Sequence, residues 1–213
     1  MFFKDRTDAG RKLAQVFLAL GRDFTGWEVV GLARGGIVVA HEVAKALGLP
    51  LQSLLVDDLR TAQGTWMVSS LGPGMWIADS DSKYVFVDDI SSVQTGEVSE
   101  LLSEVRRRDT SYNNGNPFRV PDRVILCDDG FVSGRSALVA TKTLLYAGAQ
   151  EVVLGVPVVP PWAMESNAWS EVVTWRVTKL RNPTSGIFYF QFADTPDADV
   201  SAAVADSNQG VLS

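Results

Sequence analysis

The sequence has little cysteine and histidine, with one residue of each type among 213. Cys127 alone cannot form an internal disulfide, which argues against a disulfide-stabilised secreted domain and favours a reducing compartment. Zinc sites and serine-histidine triads depend on these residue types, so the single His41 argues against both kinds of site. Because Cys127 lies in an apolar run, we expect a packed thiol rather than a nucleophile.

The chain also lacks a long apolar run and an excess of positive charge. No stretch reaches the roughly 18 apolar residues that span a membrane, and the first residues, MFFKDRTDAGRK, carry charge where a signal peptide is apolar. The formal net charge of −6 argues against nucleic acid as the main partner, because its phosphates attract clustered lysine and arginine. We therefore expect a cytoplasmic protein without a membrane or nucleic-acid partner.

What is present is an ordinary globular composition, 46% hydrophobic and 21% charged. Domains usually hold about 100–200 residues, so we expect a single domain over residues 1–213. Apolar runs typical of buried strands alternate with apolar residues at helical spacing, which predicts an α/β fold with a twisted, mostly parallel sheet flanked by helices. The strands are predicted at residues 28–32, 51–56, 84–89, from 124, from 151 to the prolines at 160 and 161, and at 171–177.

Two further features of the chain give local predictions. Thr7 and Asp8 are both good N-caps for a first helix that ends before Gly21. Glycines interrupt residues 61–82, which predicts a loop or hairpin that acts as a flap. This flap belongs to a small hood over about residues 57–118.

Residues 124–136, VILCDDGFVSGRS, contain the strongest chemical pattern. A buried strand ends at Asp128 and Asp129, and a glycine-serine loop then enters a helix near Ser136. Such a loop directs backbone N–H groups and a helix dipole at one small volume, which suits a phosphate group. The two carboxylates suit hydroxyl groups or a hydrated Mg²⁺ ion. The pattern therefore predicts a ligand with a phosphate beside a diol, such as a phosphorylated sugar; the simpler alternative is a tight turn.

Other anion-binding loops fit this stretch less well. A Walker loop requires lysine before its serine or threonine, whereas Arg135 follows Gly134, and the dinucleotide pattern GxGxxG is absent after both Leu32 and Cys127. A second acidic pair, Asp88 and Asp89, also ends an apolar run, but no glycine loop follows it. We interpret that second pair as structural.

The stretch VILCDDGFVSGRS resembles the signature of type I phosphoribosyltransferases, with Ser133 where threonine is more common. Four more segments resemble those of a bacterial group of stand-alone phosphoribosyltransferase-like proteins: FKDRTDAGRKLA, GLARGGIVVAHEVAKALGLP, VPVVPP and FYFQFADTPDADV. The resemblance covers most of the chain apart from about residues 57–118. It implies the type I phosphoribosyltransferase fold.

The resemblance also implies a role for each matching residue. Asp128 and Asp129 would hold the ribose hydroxyls and Mg²⁺ of 5-phosphoribosyl 1-diphosphate, or of a related phosphorylated ribose. The diphosphate would bind at the loop of Arg34, Gly35 and Gly36, where relatives often hold a non-proline cis peptide, and Arg34 would help to neutralise the leaving group. The 5-phosphate would bind at Gly130, Phe131, Val132, Ser133, Gly134, Arg135 and Ser136.

The activity implied is a magnesium-dependent transfer, in which a base or other small nitrogen nucleophile displaces diphosphate from the ribose. A small-molecule acceptor and a homodimer are expected with it. Two alternatives stay open: a binding or regulatory protein that recognises phosphoribosyl compounds or nucleotides without turnover, and a hydrolase of phosphoribosyl compounds.

The sequence departs from the group at the diphosphate end. Relatives usually carry a basic pair with lysine after the second strand, where this chain has Asp57 and Asp58. A carboxylate repels diphosphate, so these residues favour the non-catalytic alternative. The segment YNNGNP stands where relatives often show a tyrosine-arginine pair, and we expect Arg119 or Arg123 to replace that basic contact.

Overall fold

The computed structural model describes residues 2–61, 64–72, 74–78, 84–87, 96–131, 133–180 and 184–209. Six α-helices lie within these ranges: α1 (Arg6–Ala19), α2 (Gly35–Leu47), α3 (Gly96–Tyr112), α4 (Arg135–Tyr146), α5 (Pro161–Met164) and α6 (Asp197–Gln209). The strands are β1 (Glu28–Ala33), β2 (Leu51–Thr61), β3 (Gly64–Ser69), β4 (Gly74–Ala78), β5 (Tyr84–Val87), β6 (Arg123–Cys127), β7 (Glu151–Val159) and β8 (Glu171–Val177). A 3₁₀ turn spans Ser185–Phe188.

The strands form one mixed sheet in the order β5-β4-β3-β2-β1-β6-β7-β8. The five strands β2, β1, β6, β7 and β8 pair in parallel. Strands β3, β4 and β5 extend the sheet beyond β2 in antiparallel pairing. The predicted α/β fold with a mostly parallel sheet is confirmed. Strands β1 and β6 are neighbours, with Val29 opposite Ile125, which brings the ends of these two strands together.

The helices cover both faces of the sheet. Helices α1, α2, α3 and α6 pack on one face around an apolar cluster that includes Phe17, Trp27 and Val43. Helix α4 packs on the other face through Ala140 and Leu144. Cys127 is fully buried in the first cluster, and burial raises the pKa of its thiol. The predicted packed thiol is thus confirmed.

The first helix begins earlier than the sequence suggested. Asp5, and neither Thr7 nor Asp8, is the N-cap of α1, because its carboxylate accepts a hydrogen bond from the Asp8 N–H at 2.8 Å. All of these residue types are good N-caps, so the sequence alone did not distinguish them, and the predicted start at Thr7 or Asp8 was wrong.

Side chains of α3, of α6 and of Asn113, the residue after α3, accept hydrogen bonds from backbone N–H groups of β2 before it meets β3. Among the described residues, no strand pairs with this edge of β2 over residues 51–55, since the pairing with β3 begins at Val56. Alternate N–H groups donate instead to side-chain oxygens at 2.8 to 3.0 Å: Leu51 to Asn208, Ser53 to Asn113, and Leu55 to Asp109. A strand edge that would otherwise be open is therefore closed by α3 and α6.

The predicted hood contains β3, β4, β5 and α3. Within it, the described part of residues 61–82 forms a β-hairpin, which agrees with the predicted loop or hairpin; its action as a flap stays a prediction. Asp88 and Asp89 lie outside the described residues. None of the helices in the described ranges is both long enough and apolar enough to cross a membrane.

Candidate functional site

The candidate site lies where β1 and β6 end side by side. Strand β1 continues through Arg34 into α2, and β6 continues through Asp128 and Asp129 into the loop before α4. Carboxyl ends of neighbouring parallel strands lie at the same edge of a sheet, where open α/β folds bind ligands. The two loops predicted from sequence therefore lie together.

Glycine is required where the β1–α2 loop crosses the acidic pair. A Cβ atom on Gly35 would lie 2.1 Å from Asp129 Oδ2, and one on Gly36 would lie 2.9 Å from the Cα atom of Asp128. No side chain fits at either position without moving its neighbour. The peptide bond between Ala33 and Arg34 is cis, which agrees with the expectation from the resemblance.

Both helices that start at this edge have few side-chain caps at their amino ends; within the described residues, the Arg135 N–H of α4 donates to Ser133 Oγ at 3.4 Å. Neither Arg34, the N-cap of α2, nor Gly134, the N-cap of α4, caps its helix with a side chain, and neither first turn contains an acidic residue. Helix amino termini carry partial positive charge and unpaired N–H groups, which attract anions. The acidic pair thus lies beside two anion-attracting helix ends.

The two aspartates have different surroundings. Asp129 forms an ion pair with Arg6 at 2.6 Å, and the two side chains are only 15% and 12% exposed. Asp128 Oδ1 accepts a hydrogen bond from the Asp129 N–H at 2.8 Å. Burial, followed by the neighbouring charge of Asp129, raises the pKa of the Asp128 carboxyl well above its usual range. The pair therefore combines a carboxylate held by a cation with a carboxyl that binds a proton more readily.

Arg6 and residues 185–193 close one side of the site. The Arg6 guanidinium lies 3.9 Å from the ring centroid of Phe192 and donates to the carbonyl of Ala193. The Tyr189 hydroxyl donates to the backbone carbonyl of Asp129, and burial raises the pKa of this hydroxyl. A Cβ atom on Gly130 would lie 2.1 Å from Ser185 Oγ, so the 3₁₀ turn packs directly on the loop.

The buried side chain of Phe131 holds the predicted phosphate loop against the core. Its side chain is 2% exposed and packs against Trp162 and Trp169, with ring centroids 5.2 and 5.6 Å away. Around it, Ser133 and Arg135 are exposed and Ser136 is half-buried. Val132 lies outside the described residues. The loop therefore presents polar groups outward while its one described aromatic side chain holds it to the core.

The expected basic replacements lie at the wrong edge of the sheet. Arg119 pairs with Glu28 at the start of β1, and Arg123, at the start of β6, donates to the carbonyl of Thr25. Both arginines lie at the amino ends of the strands, opposite the acidic pair. The prediction that either one serves the diphosphate end is therefore wrong.

Arg108 of α3 is the cation that approaches this end instead. Its guanidinium forms an ion pair with Asp57 at 3.1 Å, which offsets the charge of this partly exposed carboxylate. Asp58 is exposed and its N–H donates to the Asp57 carboxylate at 3.0 Å. The repulsion expected from Asp57 is thus reduced.

Residue-level reasoning from the sequence did not identify four side chains that lie at or beside the site. They are Arg6, Ser185, Tyr189 and Asp197. A signal existed for three of them, because Arg6 lies in FKDRTDAGRKLA, and Tyr189 and Asp197 lie in FYFQFADTPDADV, two of the segments that resemble the phosphoribosyltransferase-like group.

Comparisons with known proteins agree with this geometry. Two Mycobacterium tuberculosis proteins, from strains H37Rv and CDC 1551, carry the name "Putative phosphoribosyl transferase"; each is 32% identical to the chain over 206 residues. The match covers 94% of this chain and 46% of each relative, so the chain spans about half the length of these curated relatives. The sequence matches no protein-family model.

A solved structure covers the whole site. The crystal structure of TT1426 from Thermus thermophilus superposes with a TM-score of 0.73 and 30% identity, over 97% of this chain and 99% of that one. The strand-end acidic pair, its glycine loop and these relatives agree on one assignment. The chain belongs to the type I phosphoribosyltransferase-like family.

Proposed function

We propose that the protein binds 5-phosphoribosyl 1-diphosphate and transfers its phosphoribosyl group to a small nitrogen nucleophile. The observation that carries this proposal is the arrangement of Asp128 and Asp129 beside two helix amino termini whose N-cap residues provide no side-chain cap. The two helix amino termini attract anionic groups and the acidic pair between them attracts hydroxyl groups. A ligand with an anionic group at each end and hydroxyl groups in the middle matches this arrangement.

Each part of the ligand has a place in this arrangement. The 5-phosphate would bind at the loop from Gly130 to Ser136, at the amino end of α4. The ribose hydroxyls would hydrogen-bond to Asp128 and Asp129, and the diphosphate would bind at the loop from Arg34 to Gly36. Asp128 and the Arg6-held Asp129 would both offer the hydroxyls carboxylate oxygens that accept hydrogen bonds.

The reaction would break the bond between the anomeric carbon and the diphosphate oxygen, and the electron pair would leave with diphosphate. The nitrogen lone pair of the acceptor would form the new bond to carbon, and the nitrogen would then lose a proton. Positive charge develops on the sugar ring in such a transfer, and the nearby carboxylate of Asp129 would stabilise it. Positioning of both reactants would supply much of the remaining acceleration.

Magnesium fits the free oxygens of the acidic pair. Among the described residues, Asp128 Oδ2 and Asp129 Oδ1 make no hydrogen bond, and Mg²⁺ is usually held by one or two carboxylates, waters and substrate phosphates. The described part of the chain gathers no set of three or more metal-binding side chains, so Asp128 and Asp129 would hold the ion together with the ligand. When bound, it would neutralise charge on the diphosphate.

The names of the relatives support phosphoribosyl transfer as the general kind of activity. Our proposal further includes a small-molecule acceptor, a cytoplasmic location and a homodimer. The alternative, a binder without turnover, rested on Asp57 and Asp58. The ion pair of Asp57 with Arg108 weakens that argument.

A diphosphate-release assay tests the proposal. The protein is incubated with 5-phosphoribosyl 1-diphosphate and Mg²⁺, first alone and then with a panel of nucleobases and small amines. We expect release that depends on one acceptor and that is lost in Asp128→Asn/Asp129→Asn. The matched control is Asp122→Asn, an exposed acid at the opposite end of β6, which should keep full activity.

Each other outcome selects an alternative. Release without any acceptor indicates a hydrolase, and binding without release under every condition indicates a regulatory binder. Equal activity of the double variant and the Asp122→Asn control would contradict the assigned site.

A further inference from the structure

Helix α6 places one carboxylate beside the predicted diphosphate loop. Asp197 is the first residue of α6, and its Oδ1 atom lies 3.6 Å from Arg34 Nη1 and 4.0 Å from Arg108 Nη2. The Tyr112 hydroxyl donates to the same oxygen at 2.8 Å. One carboxylate oxygen is thus faced by two guanidinium groups and one hydroxyl.

The Asp197 carboxylate lies too far from the two guanidinium groups to accept hydrogen bonds from them. A contact of 3.6 or 4.0 Å is too long for a hydrogen bond, and within the described residues the Arg34 guanidinium has no closer partner. Arg34 is 42% exposed and Asp197 is 55% exposed, so solvent reaches the cluster. An anion with several oxygens in place of Asp197 could approach both guanidinium groups more closely.

Arg108 is held ready for such an anion. Its Nη1 atom pairs with Asp57 at 3.1 Å and its Nη2 atom donates to the Tyr112 hydroxyl at 2.8 Å. The Tyr112 side chain is buried, and Arg108 is only 23% exposed. A fixed guanidinium loses little rotamer freedom when it binds, so it favours binding more than a free surface arginine would.

Arg34, Arg108 and Asp197 lie on the side of the acidic pair where the diphosphate of the proposed ligand would bind. Ala33 is opposite Leu55 in the pairing of β1 with β2, so Arg34 and Asp57 extend from the same edge of the sheet. Gly35, the next residue after Arg34, lies against Asp129. A group bound at Arg34 and Arg108 would therefore be next to the ribose position and distinct from the α4 loop.

We propose that Arg108 and Tyr112 complete the diphosphate site with Arg34, and that Asp197 occupies this site until the diphosphate displaces it. The proposal rests on the proposed function for the identity of the ligand. It assigns to α3 the role that the absent lysine-containing pair has in relatives, and it gives α6 a competing, autoinhibitory contact.

Titration calorimetry with inorganic diphosphate tests the proposal. Arg108→Gln should weaken binding about tenfold, the equivalent of one hydrogen bond to a charged group. Its matched control is Arg107→Gln, the neighbouring arginine that pairs with Glu104 on the exposed face of α3, and this change should leave the affinity unaltered. Tyr112→Phe should weaken binding less than Arg108→Gln, because it removes only the hydroxyl.

Removal of the Asp197 charge tests whether this carboxylate competes with diphosphate or helps to hold the arginines in place for it. Asp197→Asn keeps an oxygen that can accept from Tyr112 but removes the charge, and it should strengthen diphosphate binding by about threefold, the scale of an exposed ion pair. Asp199→Asn, in the same first turn of α6, should leave the affinity unchanged. Melting temperatures of all variants check that each one folds.

The proposal is overturned if Arg108→Gln and Arg107→Gln bind diphosphate alike, or if Asp197→Asn binds it no more tightly than the parent protein. Ribose 5-phosphate, titrated into the same variants, distinguishes this failure from failure of the proposed function. If ribose 5-phosphate does not bind to the parent protein, the proposed function fails at the α4 loop, while the diphosphate series still decides the role of Arg108 and Asp197.

Discussion

Gly35 lies closer to the acidic pair than a residue with a side chain could. A Cβ atom on this residue would lie 2.1 Å from Asp129 Oδ2 and 2.8 Å from Arg6 Nε, and neither contact is tolerated between unbonded atoms. We expect Gly35→Ala to separate the Arg6–Asp129 pair or shift the loop, with a loss of stability of about 1–3 kcal/mol and weaker binding of 5-phosphoribosyl 1-diphosphate. Chemical denaturation and calorimetry measure the two effects.

Gly96→Ala is the matched control for this change. Gly96 also begins a helix, and a Cβ atom there would meet no atom of the described residues within 4 Å. Its stability should be unchanged or slightly higher, because alanine favours the helix. If the two variants behave alike, close packing of Gly35 on Asp129 is not required.

Arg6 is the second single residue on which the site depends. The Arg6–Asp129 pair is mostly buried, and removal of one partner from such a pair leaves a charge without compensation at a cost of about 3 kcal/mol. We expect Arg6→Gln to lower the free energy of unfolding by up to this amount, and to weaken ligand binding because Asp129 loses its fixed orientation. Urea denaturation provides the measurement.

The corresponding surface change provides the comparison. Arg11 pairs with Glu42 at 3.0 Å but is 67% exposed, and exposed pairs contribute about 0–1 kcal/mol. Arg11→Gln should therefore have little effect on either property. A loss of stability as large as that of Arg6→Gln would show that the charge on α1 matters more than the contact with Asp129.

At the scale of elements, the contact between α3 and β2 should depend on pH. The Asp109 carboxyl is buried and accepts from the Leu55 N–H at 2.9 Å, and burial raises the pKa of Asp109 from 3.8 to about 7. Between about pH 4 and 7 the folded state binds a proton that the unfolded state has released, so stability from this group falls as pH rises, by at most ~1.4 kcal/mol per unit. Below this window its contribution is fully present, and above it no further loss occurs.

Asp109→Asn tests this pH dependence. The amide can still accept from Leu55 and has no proton to lose, so the variant should gain stability relative to the parent protein between about pH 5 and 8. Urea denaturation at both pH values measures the gain. Glu100→Gln, an exposed acid on the same helix, should show no such trend, and a pH-independent difference for Asp109→Asn would contradict the raised pKa.

The elements that were predicted correctly from the sequence are those whose characteristic patterns lie in consecutive residues. The strand before Asp128, the glycine loop and the start of α4 follow one another in the chain, and so do β1, the Arg34 loop and α2. Burial on both faces makes each parallel strand a short apolar run, which is readable without neighbours.

The features that were missed depend on residues far apart in the chain. Arg6 and Asp129 are separated by 123 positions, and nothing local indicates their contact. The same is true of Arg108 with Asp57 and Asp197. In the antiparallel extension, glycines such as Gly64 and Gly74 hid the strand pattern of β3 and β4, because glycine weakens the alternation that identifies a strand.

At the scale of the whole molecule, residues 3–6 and residues 189–192 meet at the carboxyl edge of the sheet. Phe3 pairs with Tyr189 in a short parallel bridge, and Arg6 and Phe192 lie together beside Asp129. Helix α6 then returns across α2 and α3 and brings Asp197 to the diphosphate loop. The acidic pair and the helix amino ends lie at the carboxyl edge of the parallel sheet, and α1, α3 and α6 place the charges of Arg6, Arg108 and Asp197 around them.

The central claim is that one ligand spans both helix ends with its ribose at Asp128 and Asp129. The most direct measurement is calorimetric titration of 5-phosphoribosyl 1-diphosphate and, separately, ribose 5-phosphate, each with Mg²⁺, into the parent protein and Asp128→Asn/Asp129→Asn. We predict that the diphosphate compound binds at least about tenfold more tightly than ribose 5-phosphate, a difference of roughly 1.4 kcal/mol, and that the double variant loses this binding. Equal affinity for the two compounds, or unchanged binding by the double variant, would contradict the account.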